Sequence, residues 1–383
     1  MFASKVYKMV TRCSTLSTRR ISEGVMPSLS QCAKARTLHG RMLWRSYASD
    51  GPEPGVGRKT LNEPLCGTKF PRGARVGGIS TMMRLPFQPN REGLDACYVG
   101  VPLDIGTSYK TGTRLGPRQI RYESFVLGPC NYVGAAPFET LQVADIGDVT
   151  LNLYDLKKSV EMIHQQYRDI IANGCKPLTL GGDHTLTYPI LQAMKEKYGP
   201  VGLVHIDAHD DVADLMLGEK VAHGTPFRRA AEEGCLDCHR VVQIGLRGSN
   251  YSPPNELYDF HKKMGFRVVP AHQCWHKSLT PLMEKVRGIM GDGPVYLSFD
   301  IDAIDPGAAP GTGTPEVAGL TTIQAFEIVR GCRGLNLVGA DLVEVSPPYD
   351  TTGTTALIAA NLLFEMLCVL PGVKYYDMET ITW

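Results

Sequence analysis

Residues 200–211 read Pro-Val-Gly-Leu-Val-His-Ile-Asp-Ala-His-Asp-Asp. From Val201 to Ile206 the run is short and nearly continuously apolar, as in a strand buried on both faces of a parallel sheet. At Asp207 the chain turns abruptly to carboxylates and imidazole. In open α/β sheets ligands bind outside the carboxyl ends of the strands, so such a change of polarity marks a candidate rim. The same transition occurs three more times. Residues 177–180 run into Gly181-Gly182-Asp183-His184, residues 294–299 into Asp300-Ile301-Asp302, and residues 337–343 into Glu344.

Outward from these four segments, further strands are expected at 96–101, 141–146, 240–245 and 266–270, and the last of the four extends to 345. Apolar residues at three- and four-residue spacing predict helices over 156–172, 190–197, 321–331 and 355–370, with Thr321 as an N-cap. Strands separated by helices imply a mostly parallel sheet covered on both faces, hence an α/β fold. No internal repeat is present. Residues 81–383 are expected to form one domain, preceded over 48–80 by an extended arm rich in Gly, Pro and charge.

The composition, 43% apolar and 21% charged, is that of a soluble globular protein. The most apolar run, 356–370, is interrupted by Asn361 and Glu365 and reads as a packed helix, not a membrane span. A net charge of +1 conceals an asymmetry. Residues 1–50 hold nine Lys and Arg against Glu23 and Asp50, and the remaining 333 residues carry 31 basic and 37 acidic side chains. The body of the chain gives no electrostatic case for nucleic acid or an anionic membrane. The first 47 residues are basic, rich in Ser and Thr and poor in acids, which is transit-peptide composition, with Arg45 three residues ahead of a cut after Tyr47. A mitochondrial matrix location is therefore expected. The 11 cysteines are scattered, and nine lie beyond that segment; a reducing compartment fits them better than a disulfide framework.

Asp207, His209 and Asp211 lie at i, i+2 and i+4, and Asp300 and Asp302 at i and i+2, so in extended backbone each set points one way. Acids and imidazoles converging on one rim would repel and lose hydration unless cations sat among them. Mixed carboxylate and imidazole donors suit Mn²⁺, with Zn²⁺ or Fe²⁺ as alternatives. Two such ions roughly 3.5–4 Å apart can activate a water at neutral pH. Singly, any of these residues is an ordinary turn former or helix cap; jointly they read as a two-metal site.

At these residues the chain resembles the ureohydrolase family of arginases, agmatinases and other guanidino hydrolases. The motifs are GGDH (181–184), DAHDD (207–211), HGTPFRR (223–229), SFDIDAIDP (298–306), APGTGTPE (309–316) and VEVSPPYD (343–350). The resemblance implies a three-layer αβα sandwich and a homo-oligomer, a trimer or hexamer. It implies two Mn²⁺ per chain, one held by His184, Asp207, Asp211 and Asp300 and the other by Asp207, His209, Asp300 and Asp302. His223 would shuttle a proton, as an imidazole near neutrality can. Glu344 would pair with the substrate guanidinium. The implied reaction splits a guanidino compound into urea and an amine.

Departures from the family pattern bear on the substrate. Arginases read the α-carboxylate partly through an Asn at the position of Ala213 here, which disfavours arginine. Asp210 stands where Thr or Ala is common, and Lys110-Thr111-Gly112-Thr113-Arg114 replaces an Arg-Pro-Gly-Ala-Arg run. Asp210 and Asp214 would add negative charge at the rim and favour a cationic tail, making agmatine, cleaved to putrescine and urea, the expected substrate. A guanidino acid such as 4-guanidinobutyrate, or a weakly active or non-enzymatic metal-binding relative, is the alternative. Two other readings compete. Cys235-Leu236-Asp237-Cys238-His239 matches a haem-attachment pattern, though an unremarkable helix end before the strand at 240 is the plainer expectation. Deacetylases resemble this sheet but use a single metal. No nucleophile elbow, phosphate-binding loop or dinucleotide glycine motif is present.

Overall fold

The computed structural model describes residues 77–249, 253 and 255–378. The transit peptide expected over 1–47, and the arm over 48–80 apart from its last four residues, lie outside them. Eight strands form one sheet: β1 (Ala96–Gly100), β3 (Val143–Asp148), β4 (Lys176–Leu180), β5 (Val201–Ile206), β6 (Leu236–Ile244), β7 (Arg267–Val269), β8 (Pro294–Asp300) and β9 (Asn336–Val343). Their order is β3-β1-β4-β9-β8-β5-β6-β7, and every neighbouring pair is parallel. A two-stranded antiparallel ribbon joins β2 (Ala135–Ala136) to β10 (Lys374–Tyr375).

Alternate side chains of each strand feed two cores. One face carries Tyr98, Leu178, Leu180, Val204, Ile206, Leu297 and Phe299. These share a core with α1 (Gly116–Glu123), α6 (Thr280–Met290), α7 (Thr322–Gly331) and α8 (Thr354–Cys368). The other face carries Cys97, Val99, Val201, Leu203, Tyr296 and Val338, packed with α2 (Leu156–Ile171), α3 (Thr187–Tyr198) and α4 (Pro226–Glu232). The three-layer αβα arrangement follows from this two-sided burial. A further short helix, α5 (Asp259–Met264), precedes β7. Among the described residues, no helix is long and apolar enough to cross a membrane.

Helix ends follow local chemistry. Asp155 caps α2 by accepting from the Lys158 N–H, and Thr321 and Gln324 form a reciprocal capping box on α7. The apolar run at the carboxyl end is α8, with Leu362, Leu363 and Leu367 fully buried. Each is worth about 1.5–3 kcal/mol of burial. Its Glu365 is neutralised by Arg330 at 2.7 Å and 3.0 Å. The edge of the sheet is tied to α1 by Arg121, which donates to Asp145 at 2.8 Å and 3.0 Å and to Asp148 at 2.5 Å.

Four helices escaped the periodicity reading: α1, α4, α5 and α6. α5 is only six residues long; the other three have Pro in the first turn, where the missing N–H costs nothing, so a residue that reads as a breaker is an initiator. The Cys235–His239 segment is not a helix end as expected. β6 begins at Leu236, so most of it is strand, and all eight cysteines among the described residues are free.

Candidate metal centre

β4, β9, β8 and β5 are the four central neighbours of the sheet, and the polar residues follow directly from their carboxyl ends. Register aligns them. Ile206 pairs with Phe299, so Asp207 and Asp300 emerge side by side, and Asp300 pairs with Val343, one residue before Glu344.

The two glycines of the GGDH motif permit a close approach. A Cβ on Gly182 would lie 2.2 Å from the Leu103 carbonyl oxygen, and one on Gly181 would lie 2.8 Å from that of Leu342. The end of β4 is thereby pressed between its neighbours. Asp183 locks this turn without facing the centre. Its Oδ1 accepts from the Thr185 N–H at 3.0 Å and its Oδ2 from the Gly106 N–H at 2.9 Å. Asp211 and Glu344 both have left-handed backbones, φ 51° and 65°, a conformation that costs non-glycine residues energy and clusters at functional sites.

The six candidate ligands converge in two groups. His184 Nδ1 lies 3.2 Å from Asp207 Oδ2, 2.9 Å from Asp211 Oδ2 and 3.4 Å from Asp300 Oδ2. His209 Nδ1 lies 3.4 Å from Asp207 Oδ1 and 3.1 Å from Asp302 Oδ2. Asp207 thus gives one oxygen to each group. Asp300 Oδ1 accepts from the Asp302 N–H at 2.8 Å, which leaves one lone pair on that oxygen, and its Oδ2 faces the His184 group.

Donors about 2.1 Å from an ion and at right angles to one another stand about 3.0 Å apart, which these separations match. His184 Nδ1 is buried and has no hydrogen-bond donor directed to it. Its tautomer is set from behind. The Ser298 hydroxyl donates to Asp341 Oδ1 at 2.7 Å, so it accepts from His184 Nε2 at 2.9 Å, and the Nδ1 lone pair is left free.

The electrostatics agree. Burial alone would lower the affinity of His184 and His209 for protons, yet the surrounding aspartates pull both far upward. Burial and like charge push Asp300 and Asp302 up, while Asp207, despite its burial, is held well down by the neighbouring rings of His184, His205 and His209. A field that draws protons onto two imidazoles equally favours divalent cations in their place.

Beside the groups lies a cavity of about 220 Å³ lined in part by Ser108, His209, Asp210, Asp211, His223 and Thr314. His223 Nδ1 is 3.2 Å from Glu344 Oε1, and its Nε2 is 2.7 Å from Ser108 Oγ. Burial opposes the charged ring, but Glu344 outweighs it and moves His223 up to about 9. The Ser108 N–H, 3.2 Å from Nε2, pulls the other way. Glu344 Oε1 also accepts from the His184 N–H at 2.9 Å, while its buried Oε2 has no partner.

Of the two acids expected to charge the rim, Asp210 lines the cavity, and burial together with Asp211 raises it to about 6, so it is anionic at pH 7. Asp214 does not take that role; its carboxylate is held by Arg229 at 2.8 Å. Residues passed over in the sequence complete the centre: His205, Gln243, Ser298, Asp341 and Ser108. His205 and Ser298 precede Asp207 and Asp300 by two, so alternation alone could have flagged them. Gln243, Asp341 and Ser108 come from other segments and left no local signal.

The arginase family profile matches residues 94–368. The chain is 64% identical over 302 residues to a mitochondrial agmatinase of Gallus gallus, covering 79% of this chain and 88% of that protein. It is 63% identical over 319 residues to a guanidinobutyrase of Pseudomonas aeruginosa, covering 82% and 98%. Among solved structures it is similar to the proclavaminate amidino hydrolase of Streptomyces clavuligerus, with TM-score 0.72, 37% identity, and coverage of 77% and 99%.

Proposed function

This chain belongs to the arginase family, and from that premise we propose that it hydrolyses a guanidino group to urea and an amine at a centre of two manganese ions. The observation that carries this reading is the sharing of Asp207 between two donor groups. One ion would be held by His184, Asp207, Asp211 and Asp300, the other by Asp207, His209, Asp300 and Asp302. A single-metal hydrolase would have no use for the second group.

When bound, the ions supply an acidified water and Lewis acidity. The chain's own residues do the rest. Glu344 Oε2, buried and without a partner, accepts from the guanidinium N–H fork. Glu344 Oε1 keeps the His223 ring in place. The His223 ring donates from Nδ1 to Glu344 Oε1 while its Nε2 accepts from the Ser108 N–H, and a second proton, taken at Nε2 in place of that bond, is the one the departing nitrogen takes up.

Agmatine is the proposed substrate, because Asp210 is among the residues lining the cavity and its negative charge would attract an ammonium tail. Putrescine and urea are then the products. A specific observation favours a second reading, a guanidino acid. Lys110, two residues from Ser108, carries a positive charge 5.0 Å from the Tyr349 ring, and the guanidinobutyrase relative aligns over 98% of its length. We also propose that residues 1–47 direct the chain to the mitochondrial matrix and that the enzyme is a trimer or hexamer. The name of the Gallus gallus relative supports that location.

The test is metal analysis together with urea release from agmatine and 4-guanidinobutyrate. Two ions per chain with urea from either compound supports the reaction. Two ions with no urea from any guanidino compound refutes it.

A further inference from the structure

His205 is fully buried on β5, and its ring is walled by Phe227 at 4.2 Å and His184 at 5.3 Å between centroids. Its position beside Asp207 makes it a candidate ligand on proximity alone. Hydrogen bonding argues otherwise. Directly across the parallel pair β5–β6, Gln243 is in register with His205. The Gln243 amide nitrogen donates to the Asp210 carbonyl at 2.7 Å, and a carbonyl can only accept, so the orientation of that amide is fixed. The same nitrogen lies 2.9 Å from His205 Nδ1, which must therefore be the acceptor. His205 then carries its proton on Nε2 and donates it to Asp207 Oδ2 at 2.8 Å.

A carboxylate offers about four lone-pair sites, two on each oxygen. On Asp207, one site of Oδ2 is filled by His205 and one of Oδ1 by the His209 N–H at 2.6 Å. One site remains on each oxygen, and each oxygen lies beside a different donor group. We infer that His205 and Gln243 form a positioning relay that holds Asp207 in a bridging pose between the two groups, and that His205 is not a metal ligand. The relay also pins the Asp210 carbonyl, so the loop bearing His209 and Asp211 is anchored by the same amide.

This inference rests on the two-metal reading, so the test separates them. In the full chain, His205→Phe keeps a ring against Phe227 but removes the donor. The near-isosteric Gln243→Glu turns the Nδ1 partner into an acceptor and draws the His205 proton away from Asp207. His205→Gln, which retains a donor, is the conservative rescue. Manganese affinity is measured by chelator competition, stoichiometry by elemental analysis, and KM and kcat at saturating manganese. Lost outer-shell partners typically cost 10–100-fold in metal affinity. We expect that loss for His205→Phe and Gln243→Glu, partial recovery in His205→Gln, and a substrate KM unchanged once manganese saturates. Wild-type manganese affinity in a folded His205→Phe or Gln243→Glu chain overturns the relay and leaves the metal centre standing. A wild-type chain that binds fewer than two ions overturns both. If His205→Phe fails to fold, Gln243→Glu alone decides.

Discussion

Glu344 Oε1 accepts the backbone N–H of His184 at 2.9 Å, linking residues 160 positions apart. One carboxylate thus braces the ligand turn after β4 with one oxygen and offers the other to a substrate. The two duties can be separated. Glu344→Gln keeps an acceptor for His184 but loses the charge that pairs with a guanidinium. It should retain both manganese ions while kcat/KM falls about 100-fold or more, as for loss of a charge-assisted pair worth a few kcal/mol. Glu344→Ala should lose metal as well. Elemental analysis beside urea kinetics distinguishes them.

The raised affinity of His223 for its proton predicts a pH limb. Glu344 moves the group from an ordinary value near 6.5 up to about 9 despite burial. The ring therefore stays protonated through neutrality and loses its proton as pH rises through that value. Activity should decline on the alkaline side near pH 9. In His223→Asn the limb should vanish and kcat should fall about 100-fold or more. The sign for stability is the same: the contribution of His223 is full below about 6.5 and lost above about 9. Thermal unfolding of the wild-type and His223→Asn chains across that window measures it.

Substrate preference should turn on Asp210. Its carboxyl, raised by burial and by Asp211 to about 6, remains charged at pH 7 and lines the cavity. Asp210→Thr should move the ratio of kcat/KM for agmatine over 4-guanidinobutyrate toward the acid by about 10-fold, roughly 1.4 kcal/mol. An unchanged ratio removes the case for a cationic tail, since Asp214 is engaged with Arg229.

The legibility of the fold was uneven, for physical reasons. β5 and β8 are short apolar runs that end at a charged residue, so composition alone revealed both the strand and its functional end. α1, α4 and α6 have proline in the first turn, and with the six-residue α5 they are short or only partly apolar, so their helicity depends on packing. The candidate ligands were readable because acids and imidazoles follow directly on apolar strands, although the backbone beyond them is not extended as the spacing implied: Asp302 lies in a 3-10 turn over Ile301–Ala303 and Asp211 is left-handed. The network behind them was not, because His205–Gln243 and Ser298–Asp341 pair residues on neighbouring strands far apart in the chain. The acidic rim was half right: Asp210 is in place, while Asp214 is claimed by an arginine that sequence spacing did not reveal.

Close packing at Gly182 makes a stringent structural prediction. A methyl group there would meet the Leu103 carbonyl oxygen at 2.2 Å and the Leu103 nitrogen at 2.6 Å, and backbone cannot yield cheaply. Gly182→Ala should displace His184, cut bound manganese below two ions per chain, and destabilise the fold by about 1–3 kcal/mol, as overpacking does. Denaturant unfolding and metal analysis of the same preparation check both effects.

The central claim is guanidino hydrolysis at a two-ion centre in which Asp207 would serve both ions. Its most direct test is urea release by the protein lacking residues 1–47, loaded with Mn²⁺ and assayed on agmatine, 4-guanidinobutyrate, other guanidino acids and arginine, with bound metal counted in parallel. The account predicts two ions per chain and urea production, greatest with agmatine and least with arginine, and loss of both in Asp207→Ala. Greater turnover of a guanidino acid would keep the chemistry and overturn the agmatine assignment. Two bound ions without urea from any of these compounds would contradict the claim.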